Sequence, residues 1–180
     1  TSRTNCVGVL VSELSGPFYG AMLSAIEETL RSAGKFVIVT AGHNDETREQ
    51  QAVQFLADRN CDALILHAEA LSDQQLGELA GGSVPVVIMN RAVPGLADRC
   101  ISLDNRRGGY HATKLLLQHG HHDIAYISGP LQWHDAAERL AGHKRALAEA
   151  GLDLDPQLLY EGDFLESGGG VGLAELLDRR

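Results

Sequence analysis

"CVGVLVSELSGPFYGAMLSAIEETLRSAGKFVIVTA" occupies residues 6–41. Two apolar, valine-rich runs, 6–12 and 36–41, flank a segment in which Phe18, Met22, Ile26 and Leu30 recur four residues apart. That spacing puts them on one face of a helix over about 17–33. The flanking runs are apolar at nearly every position, as in strands covered on both faces of a parallel sheet. Gly34 stands just past the helical segment, where a C-terminal glycine belongs. The stretch therefore predicts strand, helix and strand, the unit from which parallel sheets are built.

The same alternation continues along the chain. Further strands are expected at "DALILH" (62–67), "PVVIMN" (85–90), "CISL" (100–103), "DIAYIS" (123–128) and "LLYEG" (158–162). Helical stretches fall between them, at about 45–59 with Val53 and Leu56 on its face, 73–80, 106–119 and 134–150. The third of these carries Tyr110, Leu116 and Leu117; the fourth carries Ala137, Leu140, Ala141, Lys144 and Leu147, with Ala148 alongside. Ser72 with Gln75 three residues on fits a capping box, and Gly120 ends the helix before it. Repeated strand–helix alternation means a doubly wound α/β sheet. A boundary is expected near 101–105, giving a first lobe over 1–101 and a second over 102–180. The second contains only about two strand–helix units, so it reads as a truncated lobe.

Composition bounds the function. The 180 residues can bury a real core, and 44% apolar content is ordinary for a globular protein. A net charge of −9, with no basic stripe, repels a phosphate backbone, so this chain alone should not grip DNA. Cys6, Cys61 and Cys100 are widely spaced and odd in number. They read as small buried hydrophobes in a reducing compartment, and the cytoplasm is expected. No apolar run approaches the roughly 20 residues that span a bilayer, and no leader pattern opens the sequence as given.

In open α/β sheets, ligands sit beyond the carboxyl ends of the strands. "SELSGPFYG" follows the first strand, with Phe18 and Tyr19 at the helix start; "AGHND" follows the second. His67 ends the third, Asn90 and Arg91 the fourth, Asp104 and Asn105 the fifth. After the sixth comes "SGPLQWHDAAERLAG" (128–142), with Trp133, Asp135 and Arg139. Ring faces take the C–H faces of a sugar, and planar polar side chains pair with its hydroxyls. This selects a rim for a small polar ligand. Catalytic patterns are missing: there is no G-x-S-x-G elbow and no G-x-x-x-x-G-K-[ST] loop. "GGGVG" (168–172) reads as a flexible helix entry rather than a phosphate cradle, and "HGHH" (119–122) as a helix-ending turn rather than a metal site. Glu27, Glu28, Glu46 and Glu49 read as a solvated acidic face. No enzyme, cofactor or metal is expected.

Several of these stretches together resemble a known family. "VGVLVSELSGPFYGAMLSAIEETLRSAG", "CDALIL", "PVVIMNR", "SLDNRRGGYHATKLLLQHGHHDIAYISGP" and "ERLAGHKRALAEAGL" are similar, in order and spacing, to the effector-binding core of the lactose/galactose-repressor family of bacterial regulators. "CDALILHAEALSDQQL", "IMNRAVPG" and "DRCISLDN" look most like its galactose-repressor branch and β-glucoside-operon relatives. The resemblance implies a periplasmic-binding-protein-like fold, two lobes joined by crossover strands, with a hexose or glycoside held between them. It implies ligand contacts from Phe18, Tyr19, His67, Asn90, Asp135 and Arg139, and from Leu103 and Asp104, where the chain crosses into the second lobe. Trp133 matches the ligand loop too, where its ring either contacts ligand or packs on the loop itself. A homodimer is implied, its surface drawn from helices 17–33 and 45–59. Operator DNA would be bound only through a headpiece that this sequence lacks, and the sequence stops short of the remaining second-lobe strands. The same fold also serves periplasmic sugar-binding proteins of transport systems, the alternative to a cytoplasmic regulator.

Overall fold

The computed structural model describes residues 3–179, and its residues group into two compact units that meet between Leu103 and Asp104. The first unit is a five-stranded, fully parallel sheet: β1 (Cys6–Val11), β2 (Phe36–Ala41), β3 (Ala63–Leu66), β4 (Val86–Met89) and β5 (Cys100–Ile101). Three helices connect them, α1 (Pro17–Ser32), α2 (Glu46–Asp58) and α3 (Asp73–Ala80). The strand order is β2-β1-β3-β4-β5, so the winding direction reverses between β1 and β3. That reversal is the topological switch point, where an open sheet leaves a crevice at its carboxyl edge.

Local chemistry sets these elements. Pro17 opens α1, where its missing N–H costs nothing. Asp45 caps α2 by accepting from the Arg48 N–H at 2.9 Å, and Ser72 with Gln75 forms the expected capping box on α3. Gly34 and Gly120 both take a positive φ just past their helices. The core lies under β1, β3 and β4, with Leu10, Leu56, Leu66, Leu76 and Ile88 all fully buried. Each stabilises the fold by about 1.5–3 kcal/mol of transfer free energy.

Two expectations need correcting here. β2 is an edge strand with Phe36 and Val39 exposed, so its apolar run is not covered on both faces. α1 buries none of its residues fully, because it packs beside that edge rather than over the middle of the sheet.

The second unit holds a two-stranded parallel sheet, β6 (Tyr126–Ser128) and β7 (Leu159–Glu161), with α4 (Asn105–Gln118), α5 (His134–Glu149) and α6 (Glu166–Asp178). α4 and α5 are its best-packed pair. A Cβ at Gly109 would stand 2.0 Å from the Arg139 carbonyl oxygen, and one at Gly142 2.0 Å from that of Arg106. The buried face of α4 is therefore Asn105 and Thr113, not the expected Leu116, which is exposed with Leu115. On α5, Ala136, Leu140, His143, Ala146 and Leu147 are buried, while Ala137, Lys144 and Ala148 face outward against expectation. On α4, backbone contact at Gly109 rather than leucine packing fixes the helix phase.

The glycine run 168–172 lies inside α6 rather than opening it, since the helix starts at Glu166. Gly172 lies against the Tyr160 ring, whereas Gly169 and Gly170 have open space where a Cβ would go. Gly169→Ala and Gly170→Ala are expected to stabilise the second unit by about 0.5–1 kcal/mol each, through helix propensity and the unfolded chain. Urea unfolding followed by Trp133 emission checks this. Among the described residues no helix is long and apolar enough to cross a membrane, and no group of His, Cys, Asp or Glu is placed to hold a metal ion.

Candidate functional site

In the first unit, the switch point is occupied by Ser12 and His67, the residues that follow β1 and β3. Ser12 Oγ and His67 Nδ1 are 3.2 Å apart and both residues are buried. Tyr19 meets the His67 ring edge-on at 5.5 Å, and Phe18 lies 5.1 Å from Tyr19 and 6.4 Å from His67. Phe18 keeps 54% of its surface exposed, so its ring is open to solvent beside Tyr19 and His67. His67 Nε2 is 3.8 Å from Glu69 Oε1, and Asn90 Nδ2 donates to the same oxygen at 3.5 Å. Asn90 sits at φ 60°, a left-handed conformation that turns its side chain off the end of β4. Phe18, Tyr19, His67 and Asn90 are thus drawn together, the last two through Glu69, which sequence reasoning passed over.

Beneath this rim lies Glu49. The sequence placed it on a solvated acidic face, but it is fully buried. Its carboxylate accepts from the backbone N–H groups of Glu69 (3.0 Å), Ala70 (3.0 Å) and Leu71 (2.9 Å). Burial pushes its carboxyl above the usual range, and these three donors pull it part of the way back. Arg91 grips the same loop, donating to the Leu71 carbonyl and to Asp73, both at 2.6 Å.

In the second unit, Trp133, Asp135 and Arg139 gather at the start of α5. Arg139 donates through Nε to Asn105 Oδ1 at 2.7 Å and through Nη2 to Asp135 Oδ2 at 3.4 Å. Its guanidinium lies 5.6 Å above the Phe164 ring, and that ring is 5.7 Å from Trp133. Arg139 therefore has fixed direction and one face on an aromatic. Phe164 follows β7 and was not foreseen. It holds φ 66° and lies flat over Gly129, where a Cβ would meet its ring atoms at 2.1–2.4 Å. The strand-end rule finds it in "GDF" (162–164) once applied to the seventh strand. Asn105, expected at the rim after the fifth strand, is the residue that aims Arg139.

Leu103 and Asp104 fare differently. Leu103 is 65% exposed and stands apart from the hydrogen bonds and ring contacts of both clusters. Asp104 caps α4, accepting from the Arg107 N–H at 2.9 Å, one residue before Asn105.

Aromatic and polar side chains gathered at the carboxyl edge of a doubly wound sheet are the arrangement in which α/β proteins of this architecture hold small ligands. Residues 4–177 match the family of periplasmic binding proteins and the sugar binding domain of the LacI family, and the chain belongs to it. The HTH-type transcriptional regulator GalR of Escherichia coli (strain K12) is 39% identical over 176 residues, 98% of this chain and 51% of the relative. The crystal structure of the Escherichia coli transcriptional repressor AscG is 26% identical, covering 98% of this chain and 66% of that one, with a TM-score of 0.87. A cellobiose complex of the transcriptional regulator CelR is 30% identical, covering 98% and 56%, with a TM-score of 0.79. The chain spans about half the length of the curated relatives it matches.

Proposed function

We propose that this chain is the effector-sensing part of a transcriptional regulator and that its effector is a hexose or small glycoside. The observation that carries the reading is Arg139, aimed by Asn105 and Asp135 and laid on Phe164 beside Trp133. Planar cationic donors next to ring faces suit vicinal hydroxyls and sugar C–H faces. In the first unit, Phe18, Tyr19, His67 and Asn90 supply the same combination, with Leu103 and Asp104 at the passage from one unit to the next. Relatives that are transcriptional regulators favour a cytoplasmic, non-enzymatic role over transport.

In this reading the effector does its work through differential affinity for two conformational states of a homodimer, and no bond is made or broken. The acidic chain repels DNA, so operator contact belongs to a headpiece outside these residues. Calorimetric titration with D-galactose, D-glucose and methyl β-D-glucoside tests the proposal. One of them is expected to bind, and Arg139→Ala to weaken it roughly 10- to 100-fold, as removal of a charged hydrogen-bond donor should. Absence of heat with all three would remove sugars as the effector class.

A further inference from the structure

We infer that Glu49 is a positioning residue: its buried carboxylate holds the loop after β3 in the shape that sets His67 and Glu69 at the rim. The ligand-binding arm of this inference rests on the proposed effector reading; its structural arm does not.

Glu49 reaches the loop from α2. Oε1 takes the Glu69 N–H, and Oε2 takes those of Ala70 and Leu71. Three successive amides converge on one carboxylate only if the backbone curls around it, in the manner of an anion nest. The curl fixes the direction in which Glu69 leaves the chain, and so its place beside His67 and Asn90. From the other side Arg91 holds the Leu71 carbonyl. Room for Glu49 comes from the loop after β2: a Cβ at Gly42 would stand 2.4 Å from Glu49 Cγ. One side chain thus lies against the loop that follows β2 and holds the loop that follows β3.

The arrangement is costly for the core. Among the described residues no lysine or arginine forms an ion pair with Glu49, and an unpaired buried carboxylate is penalised unless hydrogen bonds replace its water. An apolar side chain would avoid that penalty but leave three loop amides without acceptors. What the carboxylate secures is loop geometry.

The test compares the full chain with Glu49→Gln, which keeps shape and replaces one acceptor oxygen by a donor. It reads amide hydrogen exchange at 69–71, the His67 ring resonances, the unfolding midpoint and D-galactose affinity. In the wild type these three amides are expected to exchange slowly, although they lie outside every helix and strand. In Glu49→Gln, exchange should rise about tenfold or more at those that lose their acceptor, and the His67 ring signals should move. Affinity should fall by about tenfold with the fold intact. A lowered midpoint with unchanged exchange, ring signals and affinity would mean a purely structural role and overturn the inference. If Glu49→Gln does not fold, the wild type decides: slow exchange at 69–71 supports the clamp and fast exchange overturns it. If the wild type binds no galactose, that arm counts against the effector reading alone, and exchange with the ring signals still decides the role of Glu49.

Discussion

Gly142→Ala and Gly109→Ala are each expected to destabilise the second unit by about 3 kcal/mol, the upper end of overpacking effects. At both positions the added Cβ would stand 2.0 Å from a backbone carbonyl oxygen of the facing helix. A side chain can rotate away from such a clash, but a carbonyl within a helix cannot. α4 and α5 would have to separate, losing van der Waals contact along their whole seam. Each clash falls beside the candidate site, since the Gly109 partner is Arg139 itself and the Gly142 partner is Arg106, next to Asn105. Trp133, the only tryptophan, lies in this unit, so its emission in urea reports this unit's unfolding. A midpoint within error of wild type would show that the helices do not approach as closely as described.

Stability of the second unit should also fall as pH drops below about 6.5, because of His143. The imidazole is fully buried on α5, its ring 4.6 Å from that of Tyr126. Thr113 Oγ1 donates its single proton to the Gly109 carbonyl at 2.8 Å, and it lies 2.7 Å from His143 Nδ1. The hydroxyl must therefore accept from Nδ1–H, which leaves the lone pair on Nε2. That nitrogen is buried with no hydrogen-bond partner. Protonating it would create a buried N–H and a charge with nothing to receive either. Burial accordingly holds the His143 pKa below its ordinary 6.5, with Lys144 adding to the effect.

The direction of the pH dependence follows from linkage. Above pH 6.5 both folded and unfolded chains carry neutral imidazole, and the contribution is fully present. Below it the unfolded chain takes up a proton that the folded one refuses, so stability falls until the folded pKa is passed. The slope approaches about 1.4 kcal/mol per pH unit for one proton. His143→Gln should flatten the urea midpoint between pH 6.5 and 5 relative to wild type. Equal slopes in both chains would refute the assignment.

Much of the fold could be read from the sequence, because buried parallel strands and amphipathic helices leave strong periodic signals. Element ends moved by a residue or so for most strands and helices, though β6 is only Tyr126–Ser128. Three features escaped for physical reasons. The order of strands, which makes β2 an edge, is a tertiary property that an apolar run cannot encode. The phase of α4 is set by backbone approach at Gly109 and Gly142, and a glycine carries no hydropathy signal. Glu49 looks like any helical glutamate until the loop after β3 folds over it. Of the candidate site, the residues just past strand ends were accessible to reasoning. Glu69 and Phe164 complete the two clusters by contacts between elements, and only the folded chain brings those elements together.

Trp133 emission is the most direct probe of the central claim, that this chain senses a sugar through residues including Trp133 and Arg139. The ring stands 5.7 Å from Phe164, itself beneath Arg139, so a sugar bound at this cluster should alter its surroundings. The measurement is titration of the full chain with D-galactose, with D-glucose and methyl β-D-glucoside in parallel. A saturable change with one of them, weakened in Arg139→Ala, is the expected result. Emission that stays flat for a sugar that calorimetry shows to be bound would put the ligand elsewhere and contradict the assignment of this cluster.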